Sequence, residues 1–128
     1  MYATLPKNEA TFNFHEVGSQ TGIVYDGQFT VKCILSISDK HVLELEKTRL
    51  MADYANPSNG LAGIAITLST LHAKIIDSPQ WWKDLSNGYS MLDEDVIMKL
   101  YDKCVEVENK WKESLREMGA KSEPKANP

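Results

Sequence analysis

The sequence predicts an α+β fold, an N-terminal β-hairpin or small antiparallel sheet followed by a three-helix bundle. Three observations carry that prediction. Apolar and polar residues alternate through the first quarter of the chain, the period of a strand with one covered face. After Ser36 the apolar period changes to that of a helix. Breaks at Asn56-Pro57-Ser58-Asn59-Gly60 and Ser78-Pro79 then divide the rest into helical segments.

The elements follow in order. Met1–Ala10 is polar with one proline and reads as a flexible arm. In Thr11–Val17, Phe12 and Phe14 fall on one face and Asn13 and His15 on the other, the pattern of a strand. Gly18-Ser19-Gln20-Thr21-Gly22 is a loop by composition. Ile23–Tyr25 and Gln28–Leu35 flank Asp26-Gly27, a dipeptide that suits a type I′ hairpin turn because both central positions need positive φ. One continuous strand with a bulge at Gly27 is the alternative. Phe29, Val31, Cys33 and Leu35 share a face; Thr30, Lys32 and Ile34 share the other.

Ser36 to Asp39 can cap a first helix, Asp39 to Tyr54, with a broad stripe of Val42, Leu43, Leu45, Leu50, Met51 and Tyr54. The second helix, Leu61 to Ile76, has Lys74 as its one formal charge, which predicts a central, covered position. A short Gln80-Trp81-Trp82-Lys83-Asp84-Leu85 segment and a Ser86–Ser90 loop follow. The third helix starts near Asp93, where Asp93, Glu94 and Asp95 complement the positive helix end. Its stripe of Ile97, Leu100, Tyr101, Cys104, Trp111, Leu115 and Met118 is broken only by Glu108, and Gly119 is placed as its cap. Its last turns are expected to project. Residues 11–119 are read as one domain and 120–128 as a disordered tail.

Composition narrows the function. At 128 residues the chain is one domain long, and a net charge of −4 argues against a nucleic-acid binder. Cys33 and Cys104 lack metal or redox spacing and read as buried free thiols, a disulfide between them being the alternative. No secretory signal or membrane-length apolar run is visible, so a cytoplasmic location is expected.

No GxSxG elbow, phosphate loop, HExxH or EF-hand pattern occurs, so no catalytic, metal or cofactor residues are assigned and the chain is expected not to be an enzyme. A weak enzyme reading would have to draw on His15, His41 or His72 with dispersed carboxylates. His72 lies on the covered stripe of the second helix and reads as a satisfied core histidine, while His15 and His41 read as surface residues. Glu44 and Glu46 read as a solvated face beside Lys47 and Arg49. The sequence therefore predicts work by binding, and the candidate contact residues are Phe29, Val31, Trp81, Trp82, Tyr101 and Trp111. They mark three places: the strand edge around Phe29, open to sheet augmentation, the tryptophan corner, and the far end of the third helix.

A run of local patterns adds a setting. Gly27-Gln28-Phe29-Thr30-Val31-Lys32 precedes a charged helix, His41–Tyr54, and an apolar helix leading to Pro79-Gln80-Trp81-Trp82. Then come the Leu92–Tyr101 segment and Glu108-Asn109-Lys110-Trp111. Over about residues 23–118 this resembles the small tail-region and tail-assembly-chaperone proteins of tailed bacteriophages. The resemblance implies a non-catalytic assembly protein that binds tape-measure or tail-tube protein in the bacterial cytoplasm and keeps its apolar surface from aggregating. It is also compatible with a small structural protein retained in the virion, in the tail or head–tail region, among neighbouring subunits. Neither role needs nucleic acid, membrane or cofactor, and both allow a homo-oligomer. A separate reading takes the chain as a host-directed phage inhibitor acting through its acidic third helix.

Overall fold

Phe12 and Phe14 alternate with polar neighbours, and the computed structural model, which describes residues 7–52 and 59–122, folds that run into strand β1 (Ala10–Val17). β1 pairs antiparallel with β2 (Val24–Val31) in an unbroken register from Ala10–Val31 to Val17–Val24. The turn therefore lies in Gly18–Ile23, where the Gly18 N–H donates to the Ile23 carbonyl at 2.9 Å, and not at Asp26-Gly27. Asp26 and Gly27 sit inside a continuous β2, opposite His15 and Phe14, with no bulge between the two strands there. Glycine is needed at position 27 for a different reason. A Cβ would stand 2.3 Å from the Pro79 ring, so the close approach of the later chain excludes a side chain.

Helix α1 (Ile37–Met51) is capped as expected, with Ser36 and Asp39 exchanging backbone–side-chain bonds in a capping box. Lys32 also bonds Asp39 at 2.8 Å; with the Ser36 amide it holds that carboxyl down at about 2. Tyr54, assigned to this helix by its period, lies outside the described residues. Helix α2 (Asn59–Lys74) starts two residues early and stops two residues early. Ile75 and Ile76 instead enter β3 (Ile75–Asp77), which pairs antiparallel with β2 through a register shift at Thr30/Val31. The sheet order is β1-β2-β3, so β2 is central. Helix α3 (Gln80–Asp84) is a single turn; α4 (Glu94–Ser122) passes through Gly119 instead of ending there. A glycine in a helix interior costs about 1 kcal/mol but does not stop it.

The result is a mixed α+β fold with a three-stranded antiparallel sheet and four helices among the described residues. The expected three-helix bundle is not confirmed. α1 packs mainly on α2, and α4 packs mainly on β1 and α2, so the sheet occupies the place a third bundle neighbour would take. The core fills the space between β1, β2, α2, α3 and α4. Phe29 is its hub, stacked on Phe12 at 5.8 Å and meeting Phe14, Trp81 and Trp82 edge-on. Leu68, Leu71, Val96, Ile97 and Leu100 complete it from the helices.

Two polar devices tie the layers together. Lys74, the one charge of α2, and Glu108, the one polar residue in the stripe of α4, form an ion pair inside the interface, and Lys112 adds a 2.8 Å bond to Glu108. Burial opposes the Glu108 charge, yet the two lysines outweigh it and hold the carboxyl below its ordinary value. Asp93, fully buried, takes the amides of Gln20 and Thr21 at 2.8 and 3.0 Å, the Thr21 hydroxyl at 2.6 Å and the Tyr25 hydroxyl at 2.9 Å. These bonds, the Thr21 hydroxyl foremost, hold its carboxyl at about 2. Gly18 permits the loop to wrap it, since a Cβ there would fall 2.1 Å from Asp93 Oδ2. Cys33 and Cys104 are both free and buried; burial pushes the Cys104 thiol up to about 12 and raises Cys33 as well.

Candidate functional site

The residues expected to meet a partner sort by burial. Phe29, Val31 and Trp82 are completely enclosed and serve the core. The reason is topological. β2 lies between β1 and β3, with β3 pairing at Thr30 and Val31, and its apolar face looks inward. Trp82 is seated against Gly88, where a Cβ would stand 2.4 Å from its ring. Trp81 is half-buried and held in place: its indole N–H donates to the Asp26 carbonyl at 2.9 Å and its ring lies 5.1 Å from Tyr25. Tyr101 and Trp111 are half-buried on α4. Trp111 donates to the Lys7 carbonyl at 3.1 Å, and the Asn8 side chain brackets the backbone of Ile34 with two 2.8 Å bonds. Residues 7–9, read as part of the arm, are thereby fastened to the domain; residues 1–6 lie outside the described set.

What the fold leaves open is a helix face. α1 contains no buried residue. Its inner stripe, turned to α2, is Asp39, Leu43, Glu46, Lys47 and Leu50, at the spacing of one helical face. Ile37 and Leu45 stand on the opposite arc and Val42 on its flank, beside a cleft it lines with Leu43, Glu46, Ser69 and His72; they are 88%, 59% and 59% exposed in the order Ile37, Leu45, Val42. The broad apolar stripe in the sequence is thus two stripes. One packs, and the other has no partner among the described residues.

Beside this helix lies a second feature that sequence reading missed. His72 on α2 is half-buried, with Nδ1 2.9 Å from Glu46 Oε1 and Nε2 2.7 Å from the Asn87 carbonyl. Both ring nitrogens therefore face acceptor oxygens. Glu46 is held ionised and below its ordinary range by Arg49 foremost, with His72 assisting against burial. Glu46 is therefore no solvated surface group. The Asn87 carbonyl reaches the ring because Ser86, Asn87 and Gly88 all take positive φ, at 54°, 54° and 88°. Two consecutive non-glycine residues in that region store strain, which the His72 contact helps to hold. The Ser-Asn-Gly triplet was the only signal of it in the sequence. This turn closes one wall of a cleft of about 300 Å³ lined by Leu50, Ile64, Leu68, Tyr89, Met91 and Ile97, with Tyr89 64% exposed at its rim.

The acidic cluster at the start of α4 has a different role from helix-end complementation alone. Asp93 is consumed by the β1–β2 loop, and Asp95 accepts the Ser19 hydroxyl at 2.8 Å. Of the three carboxylates read as complementing the helix start, Glu94 alone stays without such a bond among the described residues. His15 and His41 are exposed, and no group of three metal-ligating side chains gathers among the described residues. No described helix is long and apolar enough to cross a membrane. No family model matches the chain, and no curated protein or solved structure matches it.

Proposed function

We propose that the chain works by binding another protein through the outer face of α1, as a non-catalytic assembly factor of the kind seen in phage tail-assembly chaperones. The single observation that carries the reading is the pair of opposed faces on α1. Leu43 and Leu50 already anchor the helix to α2, so Ile37, Val42 and Leu45 are not needed to hold it there. An amphipathic groove or a client helix is the natural cover for such a face. His41, Ser38, Thr48 and Arg49 lie among these residues, with the exposed Glu44 at the margin of the arc beside Ile37. Tyr89, next to the C-terminal half of α1 at the cleft rim, extends the surface with an aromatic of the type that dominates binding energies.

The setting comes from the resemblance, and the client it implies is a tape-measure or tail-tube protein, whose long apolar segments need cover before assembly. Co-expression of the chain with such a protein tests both parts. The expected result is co-purification that is lost in a Val42→Asp/Leu45→Asp variant whose thermal transition is unchanged. Equal recovery of the client with wild type and variant would sink the α1 reading. Purified virions then separate a chaperone, absent from the particle, from a retained subunit present at a fixed copy number.

A further inference from the structure

The sheet has a long bare edge. β1 is an outer strand of eight residues, and no hydrogen bond among the described residues reaches the side turned away from β2. Such edges are normally blunted by a proline, a lysine, a bulge or a covering element. β1 (Ala-Thr-Phe-Asn-Phe-His-Glu-Val) has none of the first three, and its register is unbroken. Helix α4 runs alongside without closing the edge. Asp95 near its start bonds Ser19 just after β1, and Trp111 further on bonds Lys7 just before β1, so helix and strand are antiparallel. Between them is an open groove of about 440 Å³, walled by Asn13 to Glu16 on the strand and Lys99, Asp102, Lys103 and Glu106 on the helix.

The charges on that wall select the occupant. Read along α4 they are plus, minus, plus, minus, at positions 99, 102, 103 and 106. Reversing the helix and laying it against itself sets Lys99 against Glu106 and Asp102 against Lys103, each twice. The pattern is complementary to its own inverse, which is the condition for an isologous twofold interface. Within one copy Lys99 is 3.5 Å from Asp95 and 4.0 Å from Glu16, Glu106 is 3.3 Å from Lys110 and 3.6 Å from Lys103, and Asp102 has no ion-pair partner among the described residues. The strand agrees with the helix. A twofold axis at the middle of the groove, near Phe14, places Asn13 opposite His15 and no like charges opposite each other.

We propose that the chain forms a twofold dimer by antiparallel pairing of β1 with β1 of a second copy, giving a continuous six-stranded sheet with the two α4 helices side by side above the seam. This rests on elements other than α1 and is independent of the client-binding reading; combined with it, the dimer carries two client faces.

Sedimentation of the full chain over a concentration series tests it. Wild type is expected to dimerise below about 100 µM. Lys103→Asp sets acid against acid twice across the axis and is expected to weaken the dimer at least about tenfold. Asp102→Lys/Lys103→Asp restores opposite charges at the same places and is expected to recover the affinity. Both positions lie outside the core, and circular dichroism of each variant checks that the fold is retained. Asp102→Cys, close to the axis, is expected to give a disulfide-linked dimer on mild oxidation. A wild-type chain that stays monomeric throughout overturns the proposal and leaves the edge to an extended strand of a different protein. A dimer indifferent to the single swap, or one that Asp102→Cys cannot link, overturns this geometry.

Discussion

β2 and α1 are neighbours in sequence and opposites in the fold. Tyr25, Phe29 and Val31 of β2 are buried, whereas α1 buries no residue at all. β2 is enclosed by β1, β3, α4 and the tryptophan turn. α1 rests on one helix. A strand paired along one edge, capped by β3 at its end and buried on one face has no apolar surface to spare there, so its buried side chains report stability. A helix held on one stripe can spend its other stripe on a partner. The contrast teaches where binding can be separated from folding in this chain, and substitutions can break or sharpen it.

The largest effects belong to the hub. Phe29→Ala and Trp82→Ala each remove a buried aromatic from a cluster with little freedom to collapse and are expected to cost about 3–5 kcal/mol in denaturant unfolding. Loss of partner binding in these variants would then follow unfolding, not a missing contact. If either variant keeps wild-type stability, the division drawn between core and contact residues is wrong.

Next comes the ion pair between α2 and α4. Glu108→Leu strands Lys74 in the interface and is expected to cost about 3–5 kcal/mol, while Lys74→Met/Glu108→Leu recovers most of that loss. A double variant no better than the single would show that the lysine reaches water unaided. This pair also shows what was legible in the sequence. Lys74 as the lone charge of α2 and Glu108 as the lone polar break in α4 each stood out against an apolar pattern. Their partnership did not, because helical spacing orders residues along one helix and carries no register between two. β3 was hidden for a related reason: three residues at the end of an apolar helix show no period of their own. The Asp-Gly pair misled because glycine answers two needs, a turn or a close approach, and only the Pro79 ring tells which. The α1 stripe was seen, but apolar positions spread round a helix read as one face until its neighbour was known.

Acid should produce a smaller effect, one that touches both regions. The Asp93 carboxyl at about 2 lies below its unfolded value near 3.8, so its contribution is full above about pH 4 and is lost as pH falls through 2. Asp93→Asn is expected to lower the thermal midpoint at pH 7 and to flatten the decline between pH 4 and 2. Asp39 titrates in the same window and caps α1, so some acid loss remains in that variant. A decline as steep as wild type would mean that Asp93 is not the group that clasps the β1–β2 loop.

The smallest effect on stability is the one the binding reading needs. Leu45→Asp and Ile37→Asp alter side chains that already face water and are expected to change unfolding by no more than about 0.5 kcal/mol. Hydrogen exchange supplies the matching control: α1 amides should open at lower free energy than those of β2 and α4, because α1 has a single packed stripe. If Leu45→Asp instead costs as much as a core change, α1 has a cover within its own chain, and the apolar arc is part of the fold. If it costs nothing and the client still binds, the arc is one more scatter of exposed apolar residues. Only the remaining outcome, unchanged folding with lost binding, makes α1 the working surface, and it depends on the asymmetry between this helix and the strand beside it in sequence.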